Sequence, residues 1–319
     1  METHLAVLLG LSSAFPNYVV EGVVQGTSFG LIGLSFGLIV SVTGRFHFAW
    51  AITYALAGLL TAEIANNLGV PFAVAVALAL LGACVFSAAV ELLLYRPIAA
   101  HSPSTSMLSV FVASFGVTIA SVALLQLLFF ARGGTSAESM NWAAPTVFSL
   151  GNITLTLVDL IGVAVMWVLA LATWGILKFS RLGRRVNAVR VNPQMANAVG
   201  ISAEKTFVLV FIGASLIAGV AAIFATIDAA ATPDMGLTPV FYAFVVAFAA
   251  GLGRSPIRIM AVGVGLGLVA SVSQEFVSIQ WQPVVVFGVL LVFLCGKALA
   301  TARPDLLRAK GLGKTRRSA

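Results

Sequence analysis

The chain has 319 residues, of which 60% are hydrophobic and 9% charged, with a formal net charge of +7 and a mean hydropathy of +1.06. A water-soluble domain carries about 25% charged residues, so this composition excludes a protein that covers its surface with polar groups in water. In a bilayer the demand reverses, because backbone groups must pair internally while apolar side chains face outward.

The sequence therefore predicts an all-α, polytopic membrane protein: eight to ten transmembrane helices of about 20 residues each, in one domain over 1–319. Residues 1–17 carry no Lys or Arg and are broken by Pro16, so no cleavable signal pattern is expected. Apolar runs follow at 18–40, 47–66, 71–94, 105–131, 155–178, 206–230, 237–252, 256–277 and 282–300. Thr43-Gly44-Arg45, Asn66 to Pro71, Arg96-Pro97 and Thr232-Pro233-Asp234 punctuate them. The first run repeats Gly22, Gly26, Gly30, Gly33 and Gly37, and the eighth holds Gly263, Gly265 and Gly267. Glycines four apart let helix backbones approach closely, so the first span is expected at a crowded interface, within the chain or with a second subunit. The seventh run reaches only about 24 Å as a helix, against a hydrocarbon core of about 30 Å.

Charge orders these runs. If all nine cross, every Lys and Arg except Arg132 falls on one side. Because positive charge stays cytoplasmic, the N-terminus is expected outside and the C-terminus inside. The polar loop 179–205 and the basic tail 301–319 then lie in the cytoplasm. The tail contains Gly313-Lys314-Thr315, but Arg308 stands where a phosphate-binding loop needs its first glycine, so it reads as a basic segment against lipid headgroups and not as a nucleotide or nucleic-acid site. Cys84 and Cys295 sit in separate apolar runs without metal-ligand spacing, and read as small buried hydrophobes.

Within the cytoplasmic loop, Asn192-Pro193 reads as an N-cap with proline at the first helical position, and Gly200 as the C-terminal cap. The helix between them spans about seven residues, with Met195 and Val199 on one face. So short a helix is not stable alone and must dock, on its own spans or on a cytoplasmic partner. Polar residues inside the runs are costly in lipid, which makes Gln25, His47 and Gln126 candidates for a translocation pathway. Asp228 and Glu275 lie near outer span ends and read as solvated at the interface. Glu91 is expected to pair with Arg96. No metal-ligand cluster, nucleophile elbow or carboxylate pair points to catalysis, and neither metal nor cofactor is expected.

Three segments carry a family resemblance. Gly183, Arg184, Ala188, Met195, Ala196, Gly200 and Ile201 resemble the coupling loop of the branched-chain amino acid ABC transporter permeases. Glu91 to Pro97 resembles that family's Glu-x-x-x-Tyr-Arg-Pro, and the stretch from Gly26 through Arg45-Phe46-His47-Phe48-Ala49 resembles its first span and the Asn-Phe-Ala-His-Gly that follows. The likeness covers about 20–300. Two departures stand out: His47-Phe48-Ala49-Trp50-Ala51 places Trp50 where the family has a polar residue, and Ala250 to Ser255 replaces a Gly-Gly-x-Gly-Ser turn.

The resemblance implies a permease subunit of a binding-protein-dependent importer in the inner membrane, for branched-chain amino acids or another small organic solute. It implies cytoplasmic ATP-binding subunits, a second permease, homologous or identical, and an external solute-binding protein as partners. Gly183, Arg184, Arg185, Ala188, Arg190, Asn192, Pro193, Met195, Ala196 and Gly200 would face the ATPase, and Phe48 and Trp50 join Gln25, His47 and Gln126 as pathway candidates. The alternative reading is a secondary transporter or channel that works without ATP.

Overall fold

The computed structural model describes residues 15–101, 106–130, 148–150, 153–289, 291–292 and 295–296. The basic tail, Arg132 and the later part of the ninth run lie outside the described residues. The centre is α1 (Phe15–Thr43), against which most other helices pack. The chain then forms α2 (Trp50–Asn67), α3 (Phe72–Ala89) and α4 (Ser106–Leu125). A short antiparallel hairpin, β1 (Phe148–Leu150) with β2 (Ile153–Leu155), leads into α5 (Leu157–Phe179). Next come α6 (Arg181–Val191), α7 (Pro193–Ala198), α8 (Ala203–Asp228), α9 (Leu237–Ala250) and α10 (Pro256–Val272). Six of the described helices are long and apolar enough to cross a membrane, and the protein is an all-α polytopic membrane protein.

The glycines of the first run explain why α1 is central. A Cβ on Gly26 would stand 2.6 Å from the Cα of Val264, and one on Gly22 2.9 Å from the Cα of Leu268. Conversely, Gly263 and Gly267 of α10 lie against the backbone of Gly30 and Gly26. The crowded interface expected for the first span is thus met inside the chain, where two backbones touch without side chains between them. Pairs further along fix directions: Gly33 faces Val246 and Gly37 faces Ala247, so α9 runs parallel to α1, whereas α10 runs antiparallel to it.

Four features differ from the sequence reading. The seventh run, taken as a crossing, is a helix of only 14 residues, about 21 Å long. It begins beside α2, where Gly236 packs on the carbonyl of Ala51, and a non-helical stretch over 229–236 bridges to it from α8. The second run does not start helical at 47. Residues 44–49 are irregular, and Trp50 at the start of α2 lies level with Ser35, well inside α1. Irregular backbone is tolerated at that depth only when protein covers it, and His47 and Ala49 are fully buried. The third run continues through a π-helical stretch at Val90–Tyr95 into Arg96–His101. Finally, the polar loop contains α6, a basic helix without a long apolar run. Ser180 caps it by accepting from the Gly183 N–H at 3.0 Å, and Val189 anchors its inner face.

Candidate functional site

Three assemblies bear on function. The first is a cavity of about 400 Å³ between α1, α2, α5, α8 and the start of α9. Glu21, Asp159 and Asp228 ring one end, while Phe29 and Tyr54 line the other. Glu21 and Asp228 are exposed and Phe29 and Tyr54 buried, so the mouth is the carboxylate end. Asp159 is held there as part of a capping box, accepting from the Thr156 N–H at 3.0 Å while its own N–H donates to Thr156 Oγ1 at 3.1 Å. Gln25 is the polar wall. Its Oε1 accepts from Ser271 Oγ at 3.1 Å and from Gln282 Nε2 at 2.9 Å, which ties α1 to α10 and the segment beyond it.

The second assembly is a buried polar cluster at the opposite end of α1. Arg45 forms an ion pair with Glu91 and lies over the Phe207 ring at 5.3 Å. His47 Nδ1 is 2.7 Å from the Tyr95 hydroxyl, and the ring meets Phe211 edge-on. The π-helical stretch rotates Glu91 and Tyr95 together toward the irregular segment, a common setting for such bulges. The expected Glu91–Arg96 pair is therefore corrected. Arg96 instead reaches Glu204 at 3.4 Å, because the extra residue per turn carries it toward α8.

The third is the α6–α7 corner. Asn192 Oδ1 accepts from the Met195 N–H at 3.0 Å, Pro193 opens α7, and Gly200 ends it with φ +83°. Only Ala196 of α7 is buried, and Met195 and Val199 are exposed at 67% and 75%. Arg190 is tied elsewhere: its guanidinium donates to the Gly253 carbonyl at 2.7 Å, fastening α6 to the turn between α9 and α10. Arg96, Arg190, Glu204 and the 251–255 turn thus gather at one end of the bundle.

A family model described as branched-chain amino acid transport system / permease component matches residues 18–294. The chain belongs to this family. Permease protein LivH of the high-affinity branched-chain amino acid transport system from Escherichia coli (strain K12) is 25% identical over 300 residues, covering 88% of this chain and 92% of LivH. LivH of Salmonella typhimurium is 24% identical with the same coverage. BraD, the corresponding permease protein from Pseudomonas aeruginosa, is 24% identical over 295 residues, covering 86% of this chain and 92% of BraD. Among solved structures, PsaBC from Streptococcus pneumoniae in complex with Fab aligns with 92% of this chain and 95% of that one, at 14% identity and a TM-score of 0.47.

Within this family member the sequence candidates separate. Gln25 lines the cavity. Trp50 is buried behind it, its indole N–H donating to Ser35 Oγ at 2.8 Å and its ring stacked on Tyr54. His47 is fully buried in the polar cluster, and Phe48 packs against Phe115 and Phe241. Gln126 is exposed at the end of α4, away from all of them. Of the loop candidates, Gly183 is buried where α6 turns against the carbonyls of Ile176 and Leu177, Ala188 is half-buried, and Arg184 and Arg185 are exposed. Sequence reasoning missed Tyr54, Tyr242 and Asp159 as cavity residues. Aromatics in apolar runs look like packing, and only the Thr156/Asp159 spacing hinted at a fixed carboxylate. Among the described residues no group of His, Cys, Asp and Glu could hold a metal ion.

Proposed function

We propose that this protein is the membrane-spanning permease subunit of an ATP-driven, binding-protein-dependent importer of the inner membrane, carrying branched-chain amino acids or a closely related small solute. The family match over residues 18–294 carries this reading, and its relatives are transport permeases. The end bearing Arg45, Arg96 and α6–α7 is the cytoplasmic one, since basic residues concentrate there; the N-terminus is then outside and the tail inside. The whole chain acts as one permease domain. Its partners are cytoplasmic ATP-binding subunits, a second permease and an external binding protein that delivers solute to the acidic mouth.

In this reading the cavity is the outward vestibule. Glu21, Asp159 and Asp228 meet the ammonium group of an arriving amino acid. Gln25, whose oxygen is already engaged by two donors, offers its NH₂ to the solute. Phe29, Tyr54 and Tyr242 supply apolar surface to the side chain. Trp50 and His47 act from behind the wall by fixing the irregular segment, and Phe48 lies toward the inner half of the path. Coupling to ATP runs through the 179–205 loop, with Met195 and Val199 as the docking face. Ala196 and the Asn197–Ala203 bond at 2.9 Å transmit its motion to α8, whose first-turn residue Glu204 holds Arg96.

The test is co-purification from detergent-solubilised membranes, together with uptake of labelled leucine, for wild type and Met195→Glu/Val199→Glu. Burying two new charges in the docked face is expected to release the ATP-binding subunits and lower uptake by roughly tenfold or more. Leucine uptake that persists with no ATP-binding subunit bound would mean an ATP-independent transporter instead.

A further inference from the structure

Further along the groove between α5 and α8, toward the α6 end and away from the vestibule mouth, α5, α6 and α8 with Leu38 of α1 enclose an apolar hollow of about 260 Å³ that shares no residue with the outer cavity or α7. Ile176, Leu182, Leu209 and Leu216 on its rim are exposed, so it opens sideways, where a membrane-embedded bundle meets lipid. Its two hydroxyls are already used within their own helices: Thr173 donates to the Leu169 carbonyl and Thr206 to the Ser202 carbonyl, both at 2.8 Å. No side-chain atom fills the space around Gly213, where a Cβ would meet nothing within 4 Å.

One charged residue lines this hollow, Arg185, near the middle of α6. Arg181 and Arg184 flank it on the same helix, and Lys178 stands one turn before, over the Trp174 ring at 4.7 Å. Arg181, Arg184 and Arg185 make no ion pair among the described residues. An apolar slot with a cationic rim fits a ligand that is acyl at one end and anionic at the other. A second copy of this chain fits poorly, because a two-fold contact would set the same basic rim against itself.

The geometry points to a specific site for an anionic phospholipid, with one acyl chain in the hollow beside Gly213 and the phosphate on Arg185, supported by Arg181 and Arg184. Basic pockets between spans at the cytoplasmic side are suited to such headgroups. The site depends on the bundle lying in a membrane and not on the identity of the solute.

Native mass spectrometry of protein reconstituted in mixed phosphatidylglycerol and phosphatidylcholine, with melting temperatures measured on addition of each lipid and of glycerol 3-phosphate, tests it. Wild type should retain phosphatidylglycerol in preference to phosphatidylcholine, and Arg185→Gln should reduce that preference roughly fivefold. Gly213→Leu, which fills open space, should release the lipid while leaving the melting temperature in lipid-free detergent unchanged. Equal retention of both lipids by wild type, or retention unaltered in both variants, overturns the site. Stabilisation by glycerol 3-phosphate equal to that by phosphatidylglycerol would reduce it to an anion site without an acyl slot. Loss of a dimer in Gly213→Leu with lipid unchanged would assign the hollow to a second copy.

Discussion

Helices α1 and α4 are both apolar enough to cross a membrane, yet the spanning part of α1 is 72% buried and that of α4 22%. What separates them is side-chain size. α1 carries five glycines on the faces it turns to α9 and α10, and three of these meet backbone directly. Gly116 of α4 has open space around it, and Leu108, Val112, Ile119 and Leu124 are exposed. In lipid, apolar surface gives no preference for another helix over acyl chains, so association follows from close packing and hydrogen bonds. Hydrophobicity selects the membrane, and small residues select the centre of the bundle.

The comparison breaks most sharply where α1 leads into the irregular segment. Arg45→Met leaves the fully buried Glu91 without its cation, and should cost about 3–5 kcal/mol. Thermal unfolding in detergent reads it, and Arg45→Met/Glu91→Gln should recover much of the loss; a melting point unaltered by the single change would remove the pair from the argument. Gly26→Leu forces a side chain into the Val264 backbone and should destabilise by about 3 kcal/mol. Gly116→Leu on α4 should stay within about 0.5 kcal/mol, and equal effects at the two glycines would refute the packing account. Trp50→Phe removes the donor to Ser35 Oγ while keeping the stack on Tyr54, a loss of about 1 kcal/mol. The smallest effect belongs to Gln126→Leu, which should leave uptake and stability alike, whereas Gln25→Leu, at a site bonded to two donors, should lower leucine uptake. Reversed outcomes for the two glutamines would move the pathway to the α4 face.

Much of this was legible in the chain itself. The cap at Asn192, the proline after it and the glycine at 200 are local signals, since a capping side chain bonds within three residues and a positive φ needs no distant partner. The five-glycine stripe likewise marked the first span as crowded. The partner of that stripe was legible only in part, because Gly263 and Gly267 announce a flat face without saying which face it meets. Helix α6 escaped because a short basic helix produces no apolar run, and its reality depends on the Ser180 cap and on Val189 finding a buried seat.

The two glutamines mark the boundary. Sequence determined that the protein lies in a membrane as helices, because composition sets the solvent a chain can tolerate and every backbone group must then be paired within its own segment. It also determined where the short capped helix begins and ends. Only the tertiary structure decided that Gln25 walls a cavity while Gln126 faces outward, that Glu91 belongs to Arg45 and not to Arg96, and that α9 is a half-length helix starting beside Ala51. Each of these depends on how far a helix is rotated and how deep it sits, and that is set by backbone contacts between segments far apart in the chain, which no local pattern encodes.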